Sequence, residues 1–340
     1  MFKISCFICT TLCLLVVSGH RKDSCDVPED TKRWGPYLQQ LSEPFEHGEE
    51  PTWDDRTQLL YFVDLHKGLI NSFNPLNSEI NSLKLDGDVT PVIPTNTLNK
   101  FAVGVNKSVV LLEWNGRNGT AENVTVLTTV DQDKPGNRFN DGKADKYGRL
   151  WWGTIGYENA TGVVPDQASL YRFTRKGVDT DTAVEIRPVT NSNGLAWSKD
   201  NTKFYYIDTP TRKIAVYDFD LEAGTISNKQ IAFDLANYDI GGSPDGMTID
   251  EEDNLFIALF GGGAVIKVDP RTGTLLQRMA IPAKQVTSVS FGGKNLDILF
   301  VTTSRFGLSE EEHAAQPAAG CLFALTGLRT CGRNAYYADF

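Results

Sequence analysis

Short apolar runs alternate with acidic and Gly/Asn-rich breaks along most of the chain, and no long segment carries the 3.6-residue apolar stripe of an amphipathic helix. The breaks recur in a fixed order. Residues 49–64 read Glu-Glu-Pro-Thr-Trp-Asp-Asp-Arg-Thr-Gln-Leu-Leu-Tyr-Phe-Val-Asp, which is a polar start, a short strand, an acidic turn and a second strand. The same phrase returns at Asn140, Asn193 and Asp245, with a weaker copy at Ser288. Those four starts lie 53, 52 and 43 residues apart, and the 91 residues between Glu49 and Asn140 leave room for one more unit, which makes six. A third strand with a turn follows each pair, as in Ala264-Val-Ile-Lys-Val-Asp-Pro-Arg-Thr-Gly. Repeats of this length built from about four short strands predict an all-β fold, a six-bladed β-propeller. A β-sandwich accounts for neither the period nor the recurring polar start.

The first nineteen residues depart from this pattern. Lys3 precedes an apolar run from Ile4 to Val17, followed by Ser18-Gly19. That is the form of a secretory signal peptide, and the run is short of the roughly 20 residues that a bilayer-spanning helix needs. The expected organisation is a leader at 1–19, a polar lead-in at 20–47 and a single propeller domain at 48–340. Cys6, Cys9 and Cys13 leave with the leader, so Cys25, Cys321 and Cys331 remain, enough for one disulfide and one thiol. Cys25 could clip the lead-in to the last blade through either partner. The sequons at Asn106, Asn118, Asn123 and Asn159 fit a secreted, glycosylated chain.

Composition narrows the chemistry. Thirty-three basic against forty-three acidic residues give a net charge of -10 with no Lys/Arg block, which argues against nucleic acid as a partner. Nothing calls for a membrane or an obligate protein partner. The four histidines, His20, His47, His66 and His313, have no second His or Cys at metal-ligand spacing, so neither a zinc site nor a Ser-His-Asp triad is expected. In a propeller the first residue of each repeat emerges at one rim of the central channel. Glu49, Asn140, Asn193, Asp245 and Ser288 should therefore converge there. Carboxylates and amides aimed at one point are hard oxygen ligands, suited to Ca2+ or Mg2+. Asn-Gly and Asp-Gly at 193–194 and 245–246 are also ordinary turn dipeptides, but a turn reading does not explain their equivalent repeat positions.

The segments Gly48-Glu49-Glu50-Pro51-Thr52-Trp53, Asn137-Arg138-Phe139-Asn140-Asp141-Gly142-Lys143, Ser192-Asn193-Gly194-Leu195-Ala196-Trp197, Pro244-Asp245-Gly246 and Phe291-Gly292-Gly293-Lys294-Asn295 resemble the SMP-30/gluconolactonase/luciferin-regenerating family, in order and over most of the chain. The resemblance implies a six-bladed propeller with one catalytic divalent cation in its channel, usually Ca2+ with Zn2+, Mn2+ or Mg2+ as alternatives, and hydrolysis of a small lactone. It implies Glu49, Asn193 and Asp245 as metal ligands, Asp245 also as general base, and Arg138 and Asn140 as substrate contacts. Where sugar-lactone-hydrolysing members carry an acidic residue after the third blade's Gly-Thr, this chain reads Gly153-Thr154-Ile155-Gly156-Tyr157-Glu158, placing Tyr157 at the match with Glu158 beside it. That departure weighs against a sugar lactone, and the leader is a second departure from regucalcin-type members.

The chemistry expected is polarisation of a lactone or ester carbonyl by the cation while Asp245 accepts the proton of the attacking water. Arg138 would fix a substrate carboxylate or hydroxyl, or else form a structural ion pair at the rim. Other motifs fail. Asp131-Gln-Asp-Lys-Pro-Gly-Asn starts like an EF-hand loop, but Pro135 and Gly142 occupy its fifth and twelfth places. Gly261-Gly-Gly263 lacks dinucleotide-binding spacing and reads as a hairpin turn. Trp151-Trp152 and Tyr205-Tyr206 read as packing. Two function classes remain: a secreted metal-dependent hydrolase of lactones, luciferin-regenerating or phosphotriester variants included, and a secreted calcium-binding or ligand-binding propeller without turnover.

Overall fold

The computed structural model describes residues 35–117, 119–159 and 162–340. The leader, Cys25 and the sequon at Asn118 lie outside the described residues. Strand β1 (Tyr37–Gln40) precedes a first sheet of β2 (Gly48–Asp54), β3 (Leu59–Asp64), β4 (Leu69–Asn74) and β5 (Glu79–Lys84). A second comprises β6 (Val89–Pro94), β7 (Lys100–Val105), β8 (Ser108–Glu113) and β9 (Glu122–Thr129). The third has β10 (Arg138–Ala144) and β11 (Leu150–Ile155), then, after the short ribbon β12 (Glu158–Asn159) and β13 (Gly162–Val163), β14 (Ala168–Lys176) and β15 (Asp179–Val189). The fourth is β16 (Ser192–Trp197), β17 (Lys203–Asp208), β18 (Lys213–Asp220) and β19 (Thr225–Asp234). All pairings within these sheets are antiparallel.

The remaining strands correct the expectation of six separate blades. β20 (Ser243–Ile249), β21 (Leu255–Phe260), β22 (Ala264–Asp269), β23 (Thr274–Ala280), β24 (Gln285–Gly292), β25 (Ile298–Ser304), β26 (Phe323–Thr326) and β1 form one eight-stranded sheet. Four blades thus stand alone. A single residue pair, Phe260 with Gln285, fuses β20–β23 to the rest. β1 pairs with β26 through Tyr37–Thr326 and Gln40–Phe323, so part of the lead-in is the outer edge of the last sheet and closes the ring with the N-terminal segment.

The arrangement is propeller-like because the inner strands touch in cyclic order, β2 to β6 to β10 to β16 to β20 to β24 and back to β2. Second strands such as Leu-Leu-Tyr-Phe-Val-Asp in β3 and Leu-Trp-Trp-Gly-Thr-Ile in β11 are buried throughout, since each face packs on a neighbour. Trp151 and Trp152 therefore serve different cores: Trp151 packs with Trp197, Phe204 and Phe219, and Trp152 with Phe139 and Phe173. Outer strands such as β23 alternate exposed residues with half-buried or buried ones. Gly261–Gly263 makes the turn between β21 and β22, as its glycines suggest. Asp131 accepts from Asn137, Thr154 and Tyr171, so the would-be EF-hand loop is pinned as the approach to β10.

One helix, α1 (Glu310–Ala315), carries a Ser309/Glu312 capping box, and among the described residues no helix is long and apolar enough to cross a membrane. Beyond β26 the chain crosses the channel end where the inner strands finish. Cys331 O accepts from Glu251 N, Gly332 N donates to Leu296 O, Arg333 Nη2 donates to Trp197 O at 2.7 Å, Ala338 N donates to Pro94 O and Asp339 N donates to Gly148 O. Tyr337 donates to Asp54 at 3.2 Å. Arg333–Tyr336 and the ends of the inner strands enclose a cavity of about 90 Å³. Cys331 is disulfide-bonded, whereas Cys321 is a free, buried thiol in the last core.

Candidate functional site

All six inner strands break register near their starts: between Glu49 and Thr52, Val89 and Val92, Phe139 and Gly142, Asn193 and Leu195, Pro244 and Met247, and Val286 and Ser288. A bulge leaves its extra residue unpaired and re-aims its side chain, so six at one height form a ring of redirected groups. The glycines of Asn193-Gly194 and Asp245-Gly246 are not turn residues. A Cβ on Gly194 would stand 2.6 Å from Met247 Cβ, and one on Gly246 would overlap the Ser288 hydroxyl. They allow neighbouring inner strands to approach.

Glu49, Asp141 and Asp245 each place a carboxylate oxygen within 4.8 Å of the others, and all three residues are buried. Two of them, Glu49 and Asp245, come from the expected set. Asp141 was missed, although the tandem Asn140-Asp141 within one bulge is the signal that could have found it. Asn193 joins from the side: its Oδ1 accepts from Asn140 Nδ2 at 3.0 Å. Ser288 is buried on β24, where its side chain lies against Gly246.

Burial is the main cause of the raised pKa at each acid. It lifts Glu49 well above the usual range, with Asp141 adding to the shift while the Glu50 amide and Arg138 oppose it. Asp245 is lifted likewise, with Glu49 and Asp141 as the added repulsion. Asp141 is pushed up to about 7 by burial, against the pull of Glu50, Lys143 and Arg138. Three buried carboxyl groups facing one point are costly as anions unless a cation joins them. Their oxygens fit a hard divalent ion. Beside them, Glu50 is also raised, by burial and then by Asp141 and Glu49, and Lys143 is lowered by burial. Lys143 Nζ donates to Met247 O.

Arg138 is already engaged. Its Nη1 donates to Phe139 O at 3.0 Å and to Asn140 Oδ1 at 2.9 Å, its Nε lies 3.6 Å from Asp88, and its Nη2 lies 4.0 Å from Glu158. Asn140 Nδ2 donates to Asn191, Ser192 and Asn193 oxygens. Tyr157 is exposed and its ring lies against Gly136, while the neighbouring Glu158, also exposed, is the one of the two that approaches Arg138. On the β2 side the rings of His47, His66 and Phe306 contact one another, and His66 pairs with Asp88 at 3.2 Å. The sequon residues Asn106, Asn123 and Asn159 are exposed.

The sequence profile described as SMP-30/Gluconolactonase/LRE-like region matches residues 47–305. Regucalcin of Oryctolagus cuniculus is 38% identical over 291 residues, covering 85% of this chain and 93% of that protein. A solved luciferin-regenerating enzyme is 33% identical with a TM-score of 0.84, covering 90% of this chain and 100% of that one. A calcium-binding regucalcin structure from Agrobacterium tumefaciens shares the fold at a TM-score of 0.80 and 24% identity, over 89% of this chain and 98% of that one.

Proposed function

The chain belongs to the SMP-30/Gluconolactonase/LRE-like family, and from that premise we propose that it is a secreted, divalent-cation-dependent hydrolase that opens a small lactone or ester. The observation that carries the reading is the convergence of Glu49, Asp141 and Asp245, three buried acids within 4.8 Å. We read the eight-stranded sheet as two blades joined at one residue pair, which brings the ring to six.

Glu49, Asp245 and Asp141 would hold the cation, with Asn193 as the neutral ligand. When bound, a cation such as Ca2+ supplies Lewis-acid polarisation of the substrate carbonyl. Asp245 accepts the proton of the attacking water, and neighbouring positive charge keeps it ionised for that task. Asn140 would contact the substrate, and Arg138 would orient it from the rim, where its 3.6 and 4.0 Å contacts to Asp88 and Glu158 are long enough to be exchanged for a substrate oxygen. Tyr157 at the mouth favours a substrate less hydroxylated than a sugar lactone.

A panel of lactones, aryl esters and phosphotriesters assayed with Ca2+, Mg2+, Mn2+ and Zn2+ tests the activity. Turnover with at least one cation and its loss on chelation is the expected result. Cation binding without turnover of any of them would favour the second reading, a binding propeller, which the exposed Tyr157 in place of an acid supports. Secretion with glycan on at least one of Asn106, Asn118, Asn123 and Asn159 is part of the proposal. Intact-mass analysis of the secreted protein should show a start near His20, and an unprocessed Met1 would count against it.

A further inference from the structure

We propose that Thr209 is the positioning residue that turns the Asn193 carboxamide oxygen toward the acidic cluster. The inference rests on the cation reading above, and its test separates the two.

Thr209 opens the single turn Thr209–Thr211 that follows β17, outside the inner ring. Its backbone N–H is fixed by Asn191 O at 3.1 Å. Its hydroxyl bridges two inner strands: Oγ1 accepts from Asn193 Nδ2 at 2.6 Å and donates to Pro244 O at 2.9 Å. Pro244 precedes Asp245 in β20. The two contacts belong to a longer row: Arg138 Nη1 donates to Asn140 Oδ1, Asn140 Nδ2 donates to Asn193 Oδ1, and the row continues through Thr209 to Pro244.

The direction of that row is fixed at both ends. A guanidinium only donates, so Asn140 must turn its oxygen to Arg138 and its NH2 to Asn193. A carbonyl only accepts, so the single Thr209 proton must go to Pro244 O, leaving lone pairs for Asn193. Asn193 is then constrained from both sides, NH2 outward to Thr209 and oxygen inward beside Asn140. A flipped amide would place two donors at Asn140 and two acceptors at Thr209. Asn140 takes one lone pair of Asn193 Oδ1, and the second is left for a cation. Outer partners of this kind fix the orientation of a ligand, and their removal typically costs about 10–100-fold in metal affinity.

Thr209→Val keeps the shape and deletes both hydrogen bonds. Ca2+ titrated calorimetrically into the full-length, metal-free variant should bind about 10–100-fold more weakly than to wild type. Thr209→Ser, which restores the hydroxyl, should recover wild-type affinity. Should the valine variant fail to fold, Thr209→Ala beside Thr209→Ser carries the comparison, with alanine weak and serine normal. Wild-type affinity in Thr209→Val, or in Thr209→Ala if it stands in, overturns the positioning role while Glu49→Gln still tests the cation site. A wild-type protein that binds none of Ca2+, Mg2+, Mn2+ and Zn2+ overturns both.

Discussion

A Cβ placed on Gly194 would stand 2.8 Å from the main-chain oxygen of Asp245. Two segments that the sequence presents as separate repeat starts, Asn193-Gly194 and Asp245-Gly246, are thus packed closely against each other. The obstacle is main chain, so it does not rotate away. Gly194→Ala is expected to lose about 1–3 kcal/mol of stability, the usual cost of overpacking. Gly241→Ala, where no atom lies within 4 Å of the added Cβ, should be nearly neutral. Urea unfolding of both variants checks the contrast.

Asp245→Asn keeps a neutral oxygen near the cation position and removes the proton acceptor. Turnover should fall by about 10²–10⁴-fold, the range for loss of general-base help. Glu49→Gln removes a charge and no base, so excess Ca2+ should restore much of its activity. Equal rescue of both variants by added Ca2+ would make Asp245 a ligand alone.

Asp141→Asn is the variant that the structure adds to the series. With one of three converging charges gone, Ca2+ affinity measured by calorimetry should drop by roughly an order of magnitude or more, since affinity for hard cations follows the ligand charge count. An unchanged dissociation constant would place Asp141 outside the ligand set.

Chelation should lower the melting temperature. A cation that binds the folded chain alone stabilises it by about 2.7 kcal/mol at a hundred times its dissociation constant. The midpoint should therefore rise with added Ca2+ after EDTA treatment and removal of the chelator. A midpoint indifferent to Ca2+ at any concentration would argue that the folded chain holds no such ion.

Much of this was legible because each repeat states its strands and its polar start in the same order. Glu49 and Asp245 could be paired from their repeat positions. Asp141 was passed over despite standing beside Asn140, because one residue per repeat was expected at the axis, whereas the bulge between Phe139 and Gly142 turns the strand at both Asn140 and Asp141. The repeat period was legible, but the number of separate sheets was not, since the Phe260–Gln285 pair that fuses β20–β23 to the last sheet depends on how two neighbouring strands approach in space. Thr209 carried no repeat signature; its role arises from a turn folding back between two inner strands. Arg138 was recognised as a rim residue, yet its engagement with Asn140 depends on geometry that spacing does not encode.

The C-terminal segment changes how such a ring should come apart. In a linear array of repeats each unit senses only its neighbours, so damage stays local and melting can begin anywhere. Here Cys331, Gly332, Arg333, Tyr337, Ala338 and Asp339 bond in turn to Glu251, Leu296, Trp197, Asp54, Pro94 and Gly148, residues that belong to different members of the ring. One short peptide is a common partner of them all. A repeat that loosens withdraws part of what holds the tail, and the tail in turn loosens its hold on the other repeats, so distant repeats share one fate and the chain should lose its fold in a single cooperative step.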